Sequence, residues 1–390
     1  MTWASVKLEA IRDASRHSLV GGPFGSDLTT RDYVDDGVPV VRGVNLPDDR
    51  QFHDDDFVFV SEEKADTLAA NNARPGDVVF TQRGTLGQVG LIPSECRFPR
   101  YVISQSQMKL TVDAGKANAK FIFYFFRHPT TVQTIKNRAI TSGVPHINLG
   151  ILRDFDIPLP PLPTQLRIVE ALSTYDDLIE SNRRRMVLLE ESARLLYQEW
   201  FVRLRFPGHE HVRIVKGVPD GWKRLKLGDC LTLKRGHDLP EANRVPGTIP
   251  IVSSSGITGF HNMKKASGPG LVTGRYGTLG NVYYVEEDYW PHNTALYVCD
   301  FKGHSARVLY LFLKHALQNA HSNNAAVPGL NRNVLHTLPV LWPPASLRDH
   351  FDVFLEYSFK QLASFKRINE KLATARDLLL PRLMNGEVLV

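Results

Sequence analysis

One group of residues in this sequence has the types and spacing to hold a magnesium ion. Pro47-Asp48 is followed by Glu62-Glu63-Lys64, a pattern that could place carboxylates and a lysine around the metal as in some nucleases. Carboxylate oxygens are the ligands that magnesium prefers. The segment between them is loop-like and rich in further aspartates, which is typical of a solvated surface. We therefore do not expect nuclease activity.

A pair of histidines, His209 and His211, is a second candidate for metal binding. A structural zinc site needs four ligands, and a catalytic site needs three. No further ligand residues cluster near this pair in the sequence. We interpret both as histidines of a linker and predict no metal site.

Motifs for binding a nucleotide cofactor are missing as well. A methyltransferase would carry a glycine-rich loop between a strand and a helix, but the glycines of residues 21–25 are followed by turn residues. Neither Pro160-Pro161 nor Pro343-Pro344 has the preceding Asp or Asn and the following aromatic residue of an adenine-methylation motif. The phosphate-binding pattern GxxxxGK[ST] does not occur. We predict a chain that is not catalytic by itself and holds no cofactor.

Composition sets the broad class of the protein. A chain of 390 residues is too long for one hydrophobic core and predicts two or three domains. A net charge of +6 permits a polyanionic partner without requiring one. The three cysteines, Cys96, Cys230 and Cys299, are far apart and odd in number, which indicates a reduced, cytoplasmic setting. No apolar run approaches the roughly 20 residues of a membrane span, so no membrane partner is expected.

The longest regular pattern runs from residue 162 to about residue 205, without Gly or Pro after Pro163. Its apolar residues recur at alternating spacings of three and four, which predicts a long helix with a narrow apolar seam. Such a seam must be covered by a partner helix to stay out of water. The seam is predicted to contain Leu172, Tyr175, Ile179, Asn182, Met186 and Leu189.

The partner is predicted in the same chain, over residues 346–382. Aligning Leu172 with Phe351 superimposes the two stretches and places the polar Asn182 on Gln361. We interpret this as a shared polar layer that sets the register of a helix pair. Two helices of separate bundles are the alternative. The second seam is predicted to contain Phe351, Phe354, Gln361, Phe365, Ile368 and Leu372.

The segments that precede these helices also repeat. The tetrapeptide GTLG occurs at 84–87 and at 277–280, and residues 143–161 match residues 326–344. Short β-branched runs bounded by turn residues predict strands, and a helix is predicted over residues 120–138. The fold class predicted is therefore α+β and internally duplicated, with two mixed α/β domains joined by two long helices. The predicted segments are a first domain over 1–161, a first helix over 162–205, a second domain over 206–343, and a second helix with a tail over 344–390.

Taken together, these motifs resemble those of specificity subunits of type I restriction–modification systems. The resemblance covers nearly the whole chain and rests on GPFGSDL, the hairpin PGD-strand-RGTLG, SGVPHINLGIL, IPLPPLPTQLRIVEAL and LLPRLMNGEV. Each motif is weak alone, but their order occurs twice.

The resemblance implies two target recognition domains, each reading one half of a bipartite asymmetric DNA site. The helices would form an antiparallel coiled coil that sets the spacing and docks two methyltransferase subunits. Catalysis would belong to those subunits and to restriction (helicase-nuclease) subunits, which together act as an adenine-N6 methyltransferase and an ATP-dependent endonuclease. S-adenosylmethionine, ATP and Mg would be bound there.

Loop residues able to hydrogen-bond to phosphates or base edges are the candidates for DNA contact. In the first domain they are Gln82, Arg83, Thr85, Ser104, Gln105, Gln107, His146 and Asn148. In the second domain they are Arg275, Tyr276, Thr278, His292, Asn293, Asn331, Arg332 and Asn333. An alternative role for Arg83 and Arg275 is to brace their turns, and the glycines of both GTLG motifs are expected to shape the turns.

Two other functions remain open from the sequence. One is a DNA-recognition subunit of a two-subunit system, whose single partner carries both methyltransferase and nuclease activities. The other is a protein scaffold without DNA binding. The three arginines at 183–185 are interpreted as part of a solvated helix face. The alternative is that they contact DNA phosphates or a partner protein.

Overall fold

The computed structural model of the protein describes residues 3–275, 281–323 and 331–388. Contacts divide the chain into two units, Met1–Arg184 with Lys366–Val390, and Arg185–Phe365. Each unit takes in part of both predicted long helices. The sequence separates two globular domains from two long helices, whereas the two units each include parts of both helices. The four predicted segments therefore stay a prediction.

The first unit contains short strands separated by tight turns, as the β-branched runs predict. The strands are β1 Ala4–Lys7, β2 Leu19–Gly21, β3 Tyr33–Val34, β4 Val38–Val41, β5 Val58–Val60, β6 Asn72–Ala73, β7 Val78–Thr81, β8 Val89–Leu91, β9 Tyr101–Ile103, β10 Gln107–Leu110 and β11 Asp156–Leu159. The helices are α1 Glu62–Thr67, α2 Ala119–Arg127, α3 Pro129–Asn137, α4 Leu149–Arg153 and α5 Leu162–Tyr197, and α5 continues from the first unit into the second.

Two sheets organise the first unit. One is antiparallel with the strand order β2-β10-β7-β8, and the other has the order β3-β5-β4-β9-β6 with β4 and β9 parallel. The first and last strands, β1 and β11, pair separately. Helix α2 covers the antiparallel sheet with an almost continuous buried apolar run, so that Phe80 of β7 meets Phe126 at 4.8 Å between ring centroids.

The helix predicted over residues 120–138 is interrupted at one residue. His128 has an extended backbone, with φ −59° and ψ 130°, and separates α2 from α3. The cause is Pro129, which disfavours the helical conformation of the residue before it. Pro129 itself suits the first position of α3, where its missing N–H costs nothing.

The second unit has its own set of strands and helices. The strands are β12 Ile214–Val215, β13 Val218–Pro219, β14 Lys223–Lys226, β15 Thr232–Arg235, β16 Ile249–Ser253, β17 Gly256–His261, β18 Gly270–Gly274, β19 Val282–Val285, β20 Trp290–Pro291, β21 Ala295–Asp300 and β22 Pro339–Trp342. The helices are α6 Leu227–Cys230, α7 Ala306–Asn323, α8 Arg332–His336 and α9 Ala345–Met384, and α9 continues into the first unit.

Two sheets of the second unit repeat sheets of the first, which confirms the predicted duplication. The order β15-β21-β18-β19 matches β2-β10-β7-β8, and β14-β22 matches β1-β11. One close approach repeats as well. A Cβ on Gly22 or on Gly236 would lie 2.1 Å from a carbonyl oxygen, that of Ser104 or that of His292. Only glycine fits at either position, which marks the two sites as equivalent.

Within the first unit, α5 and α9 run antiparallel. Asp176 pairs with Arg376, and Asn182 hydrogen-bonds to Asn369. Residue numbers therefore increase along α5 while those of the contacting residues on α9 decrease. The buried residues of α5, such as Leu172, follow the predicted heptads.

Within the second unit, the same two helices are again antiparallel. The ring of Phe351 is completely buried and lies 4.8 Å from Phe201 and 5.5 Å from Trp200, measured between ring centroids. Further from the helix end, the Arg185 guanidinium lies 5.9 Å from the ring centroid of Phe365. Aromatic packing therefore holds this part of the pair together.

Half of the predicted seam on α9 is wrong by one residue. Phe354 and Ile368 are 38% and 42% exposed, and Gln361 is exposed too. The packed positions are the neighbours one residue later, such as Leu355 and Asn369. The prediction aligned the two stretches in the same direction and gave both the same heptad positions. In an antiparallel pair, the contacting residues of one helix do not follow from such an alignment with the other.

Candidate nucleic-acid interface

The hairpin turn between β7 and β8 presents Arg83 and Thr85 to solvent. Gly84 and Gly87 have positive φ angles, +100° and +95°, which confirms their role in shaping the turn. A Cβ on Gly87 would also lie 2.7 Å from a methyl carbon of Val132. The turn conformation therefore favours glycine at both positions, and the two polar side chains project from this turn.

Three loops of the first unit that were predicted from separate stretches of sequence meet at this turn. The Gln82 N–H donates to the Ser106 carbonyl at 2.7 Å, and the Gln82 carbonyl accepts from the Ile147 N–H at 3.0 Å. Arg83 and His146 face each other as a single β-bridge. Backbone hydrogen bonds thus connect the hairpin with the loop before β10 and the loop before α4.

Not every predicted side chain at this site is available to a ligand. Gln107 is 1% exposed, and its side-chain amide is hydrogen-bonded to the Ser104 hydroxyl. Asn148 caps α4 by accepting from the Ile151 N–H at 2.8 Å, which satisfies one of the free donors at the helix start. Prediction of DNA contact is wrong for the buried Gln107, and the amide oxygen of Asn148 has a structural role.

A fourth loop, residues 22–28, joins the same cluster. Gln105, an exposed candidate residue, donates its side-chain N–H to the carbonyls of Gly25 at 3.0 Å and Leu28 at 2.5 Å. The Gly22 N–H donates to the Gln107 carbonyl at 2.7 Å. Sequence reasoning named this loop as a motif, but it did not include any of its side chains among the site residues.

The second unit brings Arg275 to the loop that contains His292 and Asn293. The Arg275 N–H donates to the Thr294 carbonyl at 3.0 Å, and its guanidinium donates to the Asn293 carbonyl at 3.4 Å. Arg235 donates to the same carbonyl at 3.3 Å. Two cations therefore converge beside this loop. The predicted residues Tyr276 and Thr278, with the second GTLG motif, lie outside the described residues.

His292 occupies an environment that keeps its imidazole neutral. Its Nδ1 lies 3.1 Å from the Thr294 hydroxyl. Burial lowers the pKa of His292 from its usual 6.5, and the positive charge of Arg244 lowers it further, while Asp238 acts in the opposite direction. At neutral pH the ring is therefore a hydrogen-bonding group and not a cation.

Asn331, Arg332 and Asn333 start helix α8. The Asn331 side chain accepts from the Asn333 N–H at 2.9 Å and so caps the helix, whereas Arg332 and Asn333 are exposed. At the other end of α8, His336 Nε2 accepts from the Leu233 N–H at 2.8 Å and ties the helix to β15. The first turn of α8 is thus anchored and presents two polar side chains.

Two residues of the nuclease-like pattern, Lys64 and Glu62, enter separate ion pairs. Lys64 Nζ lies 3.0 Å from the Asp32 carboxylate, and Glu62 pairs with Arg100. Among the described residues, no group of three or more His, Cys, Asp and Glu side chains is placed to hold a metal ion. In the same part of the chain, no helix is both long and apolar enough to cross a membrane.

Comparison with known proteins identifies the family. The family described as "Type I restriction modification DNA specificity domain" matches residues 31–191 and again residues 219–370. The chain therefore belongs to this family and contains two copies of its domain. The two copies agree with the repeated sheets and the repeated loop clusters.

Relatives and a solved structure agree with this assignment. The type I restriction enzyme MjaIX specificity subunit of Methanocaldococcus jannaschii is 22% identical over 81% of this chain and 78% of its own length. The HindI specificity subunit of Haemophilus influenzae is 20% identical over 81% of this chain and 87% of its own. The crystal structure of an S subunit from M. genitalium has a TM-score of 0.54 and 17% identity, with 98% of this chain and 96% of that chain covered. That likeness supports the fold.

Proposed function

We propose that this chain is the DNA-reading specificity subunit of a type I restriction–modification complex. Each unit contacts one half of a bipartite, asymmetric site in double-stranded DNA. The observation that carries the proposal is the repeated convergence of polar loops on the two related sheets, within a chain of this family. Different side chains occupy the two clusters, so the two half-sites differ in sequence.

In the first unit the reading surface consists of Arg83, Thr85, Gln105 and His146. The backbones of Arg83 and His146 form a bridge, and the Gln105 side chain is tied to loop 22–28. In the second unit it consists of Arg275, His292, Asn293, Arg332 and Asn333. Anchored side chains suit base reading, because positioning errors and ordering entropy both reduce selectivity. Arginine in such a place contacts guanine edges or phosphates.

The long helices carry the second part of the proposal. They set the spacing between the half-sites and dock two methyltransferase subunits, which supply S-adenosylmethionine and transfer a methyl group to adenine N6. Exposed apolar residues support docking, since Phe354 and Tyr357 lie on one flank of α9 outside the packed seam. Restriction subunits with ATP and Mg complete the complex, which acts in the cytoplasm.

Selection from random duplex DNA tests this function. The chain is purified with its methyltransferase partner, incubated with the pool, and the bound DNA is sequenced. Enrichment of two short motifs at a constant spacing is expected, together with adenine methylation in both motifs. The chain alone, given S-adenosylmethionine and the same DNA, is expected to transfer no methyl group. Absence of any enriched motif would contradict DNA reading, and methyl transfer by the chain alone would contradict its non-catalytic role.

A further inference from the structure

The side chain of Phe24 lies at the tip of loop 22–28 in the first unit and is 84% exposed. A phenylalanine buried in a core stabilises a protein relative to an exposed one. Phe24 packs into none of the described hydrophobic clusters, so it contributes nothing of that kind. Single exposed apolar residues are common, and exposure alone assigns no role.

What distinguishes Phe24 is that the loop beneath it is held in place. The Gln105 side chain spans the loop through its hydrogen bonds to the carbonyls of Gly25 and Leu28. The Asp27 N–H donates to the Phe24 carbonyl at 2.8 Å and closes the turn. The aromatic ring is therefore presented on a braced backbone.

The brace comes from the proposed reading surface. Gln105 belongs to that surface, and a Cβ on Gly21, at the start of the loop, would lie 3.6 Å from the side-chain oxygen of Gln82. The loop that contains Phe24 thus contacts the reading surface through Gln105, and the Phe24 side chain has no hydrogen-bonding group of its own. Its chemistry fits the faces of bases and the methyl group of thymine.

We propose that Phe24 makes an apolar contact with a base in the half-site read by the first unit, which excludes water from that base and adds selectivity for it. This inference rests on the proposed function. Aromatic and apolar side chains act this way by packing on a thymine methyl group or by inserting between neighbouring bases. Either contact would bury the ring that the free protein exposes.

The second unit has a different residue at the corresponding position. Gly22 and Gly236 are equivalent by their close approach to a carbonyl, and counting forward places Asp238 where Phe24 lies. Asn293, which corresponds to Gln105, donates its side-chain N–H to the Asp238 carboxylate. A carboxylate makes no apolar contact, so the proposal concerns the first half-site alone and the second serves as an internal control.

The test compares variants of the intact chain in complex with its methyltransferase partner. Wild type first selects its site from random duplex DNA, and Phe24→Ala then selects from the same pool. Phe24→Ala is expected to bind the wild-type site roughly tenfold to a hundredfold more weakly and to lose base preference at one position of one half-site. Phe24→Trp should retain most of the affinity, because its ring presents a larger apolar face. Val34→Ala, an exposed apolar residue on β3, is the matched control and should bind as wild type does.

Modified DNA separates the two forms of contact. If the ring packs on a methyl group, replacing thymine by deoxyuracil at the affected position weakens wild type but leaves Phe24→Ala unchanged. If the ring inserts between bases, 2-aminopurine at that step brightens when wild type binds and stays dark with Phe24→Ala. Each result supports the apolar contact.

Equal affinity and equal base preference for Phe24→Ala and wild type would overturn the inference while leaving the proposed function intact. Failure of wild type to select any site would overturn the proposed function itself. A uniform loss that also affects the second half-site would mark a folding defect caused by alanine. In that case Phe24→Ser and Phe24→Leu are compared at matched thermal stability. Only the serine variant should lose base preference in the first half-site. Equal base preference for the two variants would reject the contact.

Discussion

Asn182 of α5 donates its side-chain N–H to the side-chain oxygen of Asn369 on α9, at 2.9 Å. Asn182 is only 7% exposed, so the two amides satisfy each other in a largely dry place between antiparallel helices. A second hydrogen bond runs from the Asn369 amide to the Ile179 carbonyl at 3.4 Å. Polar pairs inside a helix seam favour one register, because any shift leaves both amides without a partner.

Replacing Asn369 with alanine should therefore destabilise the protein by about 1–3 kcal/mol, because the buried Asn182 amide would lose its partner. Changing both residues to leucine should restore most of that stability, since no polar group then remains unsatisfied. Chemical denaturation of Asn369→Ala tests the loss, and that of Asn182→Leu, Asn369→Leu and the double leucine variant measures the coupling. Additive losses would show that the two amides act independently.

A buried ion pair holds the same helices together. Arg376 has a side chain only 5% exposed and pairs with Asp176, whose other oxygen accepts from the Tyr124 hydroxyl at 2.6 Å. Arg376→Met should cost about 3–5 kcal/mol, because it leaves the Asp176 carboxylate without its cation in a dry place. Arg194→Met breaks an exposed pair and should cost no more than about 1 kcal/mol. Similar losses in urea unfolding would contradict the distinction.

Stability of the second unit should fall on mild acidification. Burial lowers the pKa of His336, and the positive charges of Arg332 and Lys302 lower it further. A histidine whose folded-state pKa lies below its unfolded value stabilises the fold above about pH 6.5, and this contribution is lost as the pH falls through the folded-state pKa. Burial also lowers the pKa values of other histidines in this unit: His237, His292, His304 and His315.

Thermal unfolding at pH 7.5 and pH 5.5 measures the effect. His336→Gln should unfold at a lower temperature at pH 7.5, yet lose less on acidification, since glutamine can accept the Leu233 hydrogen bond without titrating. His211→Gln changes an exposed histidine and should keep the wild-type pH dependence. An unchanged pH dependence in His336→Gln would mean that other histidines carry the effect.

Base reading by the hairpin turn predicts a selective loss in Arg83→Ala. If its guanidinium contacts a base edge, binding should weaken by about 1–3 kcal/mol, with relaxed preference at one position of one half-site. Arg167→Ala removes an exposed arginine from the second turn of α5 and is the matched control. Binding assays at two salt concentrations separate the alternatives, because a lost phosphate contact weakens all sequences and reduces the salt dependence. An unaltered affinity would favour the turn-bracing role of Arg83.

If the long helices set the distance between the two DNA half-sites, lengthening both helices should change that distance. Antiparallel pairing requires matched insertions, so four residues are added after Arg185 in α5 and four after Phe365 in α9. Four residues extend a helix by about 6 Å and turn it by about 400°, which roughly preserves the seam. The preferred spacer between half-sites should lengthen by about one or two base pairs, which selection from random DNA measures directly. The same spacer at full affinity would show that the helices do not set the distance.

The sequence predicted the elements whose signals are local or repeated. Heptad spacing around Leu172 and Ile179 is a property of one helix, and burial of one face follows from it directly. The duplication was visible because related stretches retain GTLG and similar motifs in the same order. Interruption of the helix at His128 was missed, although Pro129 carries a local signal that outweighs the apolar pattern around it.

Other features depended on contacts between residues far apart in the chain. No pattern around Gln107 distinguishes it from Gln105, yet the first is buried in a sheet and the second holds a loop from outside. Asn369 became the partner of Asn182 because antiparallel packing places these two levels together. The loop that presents Phe24 is likewise braced by Gln105, a residue of a different loop. Heptad periodicity and sequence repetition therefore determined the long helices and the internal duplication. Only tertiary packing decided which polar side chains are buried or hydrogen-bonded within the protein and which are exposed to a ligand.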